Sequence, residues 1–174
     1  MRKRRDFKRI WKQAELDTSF KNMKELARLL KSRNADTRLR TLFKIREQMI
    51  LIPPKGYFLL AKRLIDDPDN DCRWQAVIII GRFVETNPSE VWKVVTKYGI
   101  SGDKDMRTAV GVVLLEDLLG YHFQKIFPKV KREVIRSPLF ADTLSRCYAT
   151  GQAKRYWKKV MKLLEQVRIK SYID

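Results

Sequence analysis

His122 is the one histidine of this 174-residue chain, and its two cysteines, Cys72 and Cys147, lie far apart with no C-x-x-C spacing. A zinc site or a disulfide framework has no ligand pattern to rest on, and a Ser-His-Asp or Cys-His nucleophile has a single base to draw on. That base ends an apolar run, where a histidine is ordinarily packed or at the surface. The adjacent acids Asp66-Asp67 and Glu116-Asp117 fall beside helix termini or on a helix face, as capping or solvated carboxylates do, and are not read as an acid/base pair. Neither a Walker loop nor G-x-G-x-x-G occurs, so no glycine loop is present to cradle phosphate. The sequence therefore predicts no catalytic residue, no metal and no cofactor. The cysteines read as reduced, small apolar residues of a cytoplasmic protein.

What the chain has in quantity is positive charge: 38 Lys and Arg against 20 Asp and Glu, a formal net charge of +18. Its distribution is uneven. Residues 1–50 hold sixteen basic against six acidic residues, 51–121 nine against ten, and 122–174 thirteen against four. Like charges at that density repel one another in the compact state, so an excess of this size points to a polyanionic partner. Nucleic acid is the expected partner, DNA favoured, with an acidic protein as the alternative. The candidate phosphate contacts are Arg4, Arg5 and Arg9 near the start, Arg40, Lys44, Arg46 and Arg82 further on, and Lys154, Arg155, Lys158, Lys159 and Lys162 near the end. Trp74, Trp92 and Trp157, with Tyr156, are candidates for stacking on bases, although aromatic residues at helical spacing more often lie in a core. The apolar run 76–80 is far too short to span a membrane, and the basic start Met1-Arg2-Lys3-Arg4-Arg5 leads into no signal-peptide core.

The elements that must position these residues are written in an internal repeat. Asp-x-Arg recurs as Asp36-Thr37-Arg38, Asp71-Cys72-Arg73 and Asp105-Met106-Arg107, at intervals of 35 and 34 residues. Arg28-Leu29-Leu30 stands ten residues before Arg38 just as Arg63-Leu64-Ile65 stands ten before Arg73. Seven positions past each arginine an apolar residue returns, as Ile45, Ile80 and Leu114, which keeps them on one helical face. A period of this length is that of stacked helix pairs.

The pairs are expected at about 20–31 with 35–50, 56–65 with 71–85, and 88–98 with 103–122. Pro53-Pro54 ends the first, and Asn87-Pro88-Ser89-Glu90 opens the third with a cap, a proline at the first helical position and a following glutamate. The helix from Asp105 is almost wholly apolar and must be buried on more than one side. Beyond it Pro128 and Pro138 are expected to interrupt helix, and Gly151 to separate 139–149 from a basic amphipathic helix at 153–167. Residues 1–19 read as a basic arm and a capping helix with Phe7, Ile10 and Trp11 on its apolar side, and 20–174 as the repeat region of one domain, a monomer.

The stretch Asp67-Pro68-Asp69-Asn70-Asp71-Cys72-Arg73-Trp74-Gln75-Ala76, closing on Ile80-Gly81, resembles the bacterial HEAT-repeat signature. The resemblance is partial at Asp36 and Asp105 and covers about 100 residues. It implies an all-α fold, a HEAT-like, armadillo-like solenoid of stacked antiparallel helix pairs with terminal capping helices. It also implies a ladder of contacts between successive units through Asp36, Arg38, Asp71, Arg73, Asp105 and Arg107. Size and charge are similar to those of the HEAT-like alkylpurine DNA glycosylases of DNA alkylation repair, a family that uses a Trp with an Asp one turn later, an Arg in the following repeat and a further Trp. Here Trp92 is followed one turn later by Thr96, with Arg107 and Trp157 as the other two. A neutral Thr supplies no negative charge to a cationic transition state, and no spacing argues for Glu90, Glu116 or Asp117 in its place. A non-catalytic binding module is the expectation, with a protein-interaction scaffold or a glycosylase-like protein with altered catalytic residues as alternatives.

Overall fold

The computed structural model describes residues 23–49 and 55–170. The basic arm with Arg4, Arg5 and Arg9, the capping helix expected within 1–19, and Pro53-Pro54 lie outside the described residues. Within them the chain is helical, with no strand: α1 (residues 23–29), α2 (Ala35–Glu47), α3 (Lys55–Leu64), α4 (Asn70–Gly81), α5 (Pro88–Tyr98), α6 (Lys104–Ala109), a π-helical segment (Val110–Leu115), α7 (Glu116–Arg136), α8 (Pro138–Ser145) and α9 (Ala153–Lys170).

Three successive turns are made by one set of contacts. Ser32, Asp67 and Ser101 each accept, on the side chain, the backbone N–H two residues on, at 3.2, 2.9 and 3.1 Å. Asn34, Asp69 and Asp103 then cap α2, α4 and α6 by accepting N–H groups of the first turn, which removes orphan donors at each helix start. Arg38, Arg73 and Arg107 each donate Nη1 to the carbonyl six residues back, Ser32, Asp67 and Ser101, at 2.8, 3.2 and 2.6 Å. The repeat is thus seven residues long, Ser/Asp-x-Asn/Asp-x-Asp-x-Arg, and closes each turn with its own arginine.

The same arginines reach the next unit. Arg38 binds Asp67 through two parallel bonds of 2.7 Å, with both residues buried at 7% and 6% exposure. Arg107 donates Nε to Asp142 at 2.8 Å. Arg73 reaches Asp103 only at 3.3 Å through Nη2, and its buried Nε has no acceptor. The partner acids differ from those expected. Asp36 and Asp71 are exposed in the first turns of their helices, where a carboxylate meets the positive end of the helix dipole. Asp105 accepts the indole N–H of Trp74 at 2.7 Å. The arginines bend back toward the turns, so turn and neighbouring-helix carboxylates receive them.

Helices that follow the turns pack in chain order: α2 on α4, α4 on α6 and the π segment, and these on α8. Ile45, Ile80 and Leu114 are fully buried among them, in one core that runs from Leu26 to Leu163. The π segment is packed by α4, α5 and α8, as its apolar sequence requires. Glu116 N–H returns to Gly111 O, five residues back. Gly111 carries no Cβ because one would stand 2.7 Å from Thr143 O on α8.

Of the two proline breaks expected, the one at Pro138 is present and the one at Pro128 is not. Helix continues through Pro128, because Ile126, Val130 and Val134 bury one continuous face around it. The kink is at His122 (φ −133°, ψ 35°), whose Nε2 lies 3.0 Å from Val84 O. Pro138 opens α8 behind the Ser137 cap. α4 stops at Gly81 and gives way to turns over 82–86, short of the expected end at 85.

Candidate nucleic-acid interface

Helix α9 is amphipathic, and each face has a definite use. Ala153, Val160 and Leu163 are buried, with Tyr156, Trp157, Leu164 and Val167 half-buried beside them, against α7 and α8. Tyr156 stacks on Phe123 of α7 at 5.0 Å between centroids, and Phe123 stacks on Phe127 at 4.9 Å. The rest of the helix is exposed and of nearly one sign. Lys154, Arg155, Lys158 and Lys162, with Glu165 at the far end, line an open groove between side chains of α9 alone, together with Trp157 and Met161. Among the described residues no carboxylate comes within ion-pair distance of Lys154, Arg155, Lys158, Lys159 or Lys162. Arg155 and Lys159 rest instead over the ring of Tyr156, at 5.6 and 5.4 Å.

The other residues expected to contact phosphate do not join this groove. Arg40 and Lys44 are exposed on α2. Arg46 is half-buried, donates to Gln75 at 3.1 Å and lies over the ring of Phe43, which makes it an inter-helix contact. Arg82 is exposed just past α4 and interacts electrostatically with Asp117. α2 packs on α4, while α9 packs on α7 and α8, so these basic positions lie on elements separated from α9 along the order of packing.

Of the expected stacking residues, Trp74 is tied by its N–H to Asp105, and Trp92 packs edge-on against Phe140 with Lys129 over its ring. Only Trp157 stands at a groove. No known protein family, characterised protein or solved structure matches the chain. Among the described residues, the positions compared with the glycosylases have other engagements. The Thr96 hydroxyl donates within its own helix to the carbonyls of Trp92 and Lys93. Arg107 is buried and engaged by Asp142 and the turn carbonyls of Ser101 and Gly102. Glu90 pairs with Lys93, and Glu116 accepts the backbone N–H of Tyr148. Burial, then the neighbouring Glu116, pushes the Asp117 carboxyl above the usual carboxylate range against the pull of Arg82. Both thiols are free and buried, and burial pushes Cys72 up to about 12 and Cys147 upward as well, so neither is a ready thiolate.

Lys125, Lys131 and Arg132, not among the expected phosphate contacts, stand on the exposed side of α7 and contribute to the basic count of residues 122–174. Tyr121 and Tyr148, likewise not among the expected stacking residues, are exposed at 50% and 74%. Both follow buried residues in otherwise structured chain, and alternation of that kind is visible only once the neighbours are placed.

Proposed function

We propose that this protein is a non-catalytic, HEAT-like helical-repeat module that binds nucleic acid through the cationic face of α9. The observation that carries the reading is that the exposed strip of α9 holds four cations without a carboxylate partner beside Trp157, with one acid. A terminal helix that served only to cap the core and keep it soluble would interleave the two signs. The recurrence of turn, cap and arginine in three units supports the HEAT-like reading, each unit being a helix pair laid against the next. The buried free cysteines support a cytoplasmic location, and a monomer is assumed.

An anionic membrane surface is a weaker partner for the same charge. An interfacial helix must bury its apolar face in lipid, and the centre of that face of α9, Ala153, Val160 and Leu163, is already covered by α7 and α8. No helix among the described residues is long and apolar enough to cross a membrane.

The test is a binding titration with a labelled oligonucleotide at two salt concentrations. Affinity is expected to fall as salt rises, with a log–log slope of about −0.7 per phosphate contact for a single strand and about −0.9 for a duplex. Replacing Lys154, Arg155, Lys158 and Lys162 together by Gln is expected to reduce that slope by several units with the helical circular dichroism unchanged. No binding at low salt, or a slope indifferent to these four residues, moves the assignment to a scaffold for an acidic protein.

A further inference from the structure

Most tyrosines and tryptophans of the described residues already have a partner. Trp74 and Trp92 are engaged as described, Tyr57 donates to Gln48, Tyr98 to Asp66, and Tyr156 lies on Phe123. Tyr148 is different: its side chain has neither a hydrogen bond nor a ring contact among the described residues, and it is the most exposed of the large apolar side chains there. Tyr121 is half exposed, and its one ring neighbour among the described residues is the adjacent His122, at 6.3 Å between centroids.

Exposure alone would mean little on a loose loop, but this loop is fastened at several points. Tyr148 N–H donates to Glu116 Oε2 at 2.8 Å, Thr150 Oγ1 to Glu116 O at 3.4 Å, and Gln152 N–H to Gly120 O at 2.7 Å. Gly151 crosses so close that a Cβ there would stand 2.5 Å from Gly120 O, and its φ of +44° lies in the left-handed region that glycine favours. Residues 148–152 are therefore strapped along one turn of α7. Tyr121 follows Gly120, where the strap ends, and Tyr148 sits at Glu116, where it begins. The strap then runs straight into α9 and its first cations, Lys154 and Arg155.

We infer that Tyr148 and Tyr121 form a stacking platform for the bases of single-stranded nucleic acid, whose phosphates lie on the cations at the start of α9. This rests on the nucleic-acid reading and narrows it. In a duplex each base face is covered by its neighbours and only edges are offered in the grooves, which calls for inserted side chains that pair with those edges. An exposed ring has use for a base whose face is free, and such rings beside a cationic track are how single strands are held without sequence preference. Rings held by a fastened loop lose little freedom on binding.

The experiment compares a labelled thymidine 20-mer with a hairpin duplex of equal phosphate number, by fluorescence anisotropy at two salt concentrations. The proteins are the full chain, Tyr148→Ala, Tyr121→Ala, Tyr148→Trp and the four-fold Gln variant of α9. The single strand is expected to bind more tightly. Each Ala variant is expected to weaken single-strand binding by roughly tenfold or more, leaving duplex binding and the salt slope unchanged, and Tyr148→Trp to retain the affinity. Both side chains are exposed, so unchanged melting curves for the Ala variants exclude unfolding as the cause. Tighter binding of the duplex, or Ala variants that bind like the parent, overturns the platform while leaving the α9 reading in place. Absence of binding to either oligonucleotide overturns both.

Discussion

The turn edge and helix α9 are both rich in cations and use them in opposite ways. At the edge, Arg38, Arg73 and Arg107 point inward, and each is engaged by backbone carbonyls and by a carboxylate of the next unit. On α9, five lysines and arginines point outward, and no carboxylate of the described residues comes within ion-pair distance of them. A buried charge is tolerated only when paired and hydrogen-bonded, whereas a solvated one is free of that demand. The difference separates charge that holds the protein together from charge available to a partner, within one residue class and with no help from composition.

Mutations can break this distinction or sharpen it. The largest expected effect is on the edge: Arg38→Ala leaves the carboxylate of Asp67 buried without its bidentate partner and is expected to cost about 3–5 kcal/mol in urea denaturation. Lys158→Gln on α9 is expected to change stability by no more than about 0.5 kcal/mol. Similar losses from the two would erase the contrast. Next in size is the uneven middle rung. Because Arg73 already lacks an acceptor at Nε and reaches Asp103 only at 3.3 Å, Arg73→Ala is expected to cost less than Arg38→Ala. Ser101 stands where Asp67 stands one unit earlier, so Ser101→Asp is expected to supply the missing carboxylate and raise the urea midpoint. A lowered midpoint would show that the two turns are not equivalent.

The smallest effect is acid dependence. Burial raises the Asp142 carboxyl, but hydrogen bonds from Arg107 and Arg146 outweigh it and hold the group below the usual carboxylate range. A depressed folded value means stability present above about pH 4, the unfolded value, and lost as pH falls through the folded one. Denaturation at pH 7 and pH 3 is expected to show this loss, and Asp142→Asn to be less stable at pH 7 with a smaller fall in acid. An unchanged fall would remove Asp142 from the rung.

The helical character and the three turns were legible in the sequence because caps, apolar returns and arginines repeat at nearly fixed spacing. Their partners were not. Nothing in one copy of the motif says that Arg38 reaches the acid of the following turn in preference to the Asp two positions before it; that depends on the distance between packed helices. The fourth turn illustrates a second limit. Ile135, Ser137, Leu139 and Ala141 occupy the positions of Ser101, Asp103, Asp105 and Arg107 at an interval of 34 residues, yet only the serine cap keeps the chemistry, so the period was hidden. Ile135 and Leu139 are exposed there, at 61% and 39%. At α9, the run of lysines gave the residues of the groove, whereas the engagement of Trp74 and Trp92 and the freedom of Tyr148 follow from packing between elements distant in sequence.

An arginine that binds the carbonyl six residues before it makes its contact within a single turn of chain. Such a contact forms without waiting for a neighbouring unit and sacrifices little loop entropy. Each turn can therefore take shape as soon as its own few residues meet, and the bonds from Arg38 to Asp67 and from Arg107 to Asp142 join segments already bent for them. Chains dominated by near-neighbour contacts fold quickly. The arginines are accordingly expected to act as local timekeepers, setting the bends early and leaving docking of preformed pieces as the later event. Damage to one turn is correspondingly expected to slow its own region first, before the rest of the array registers the loss.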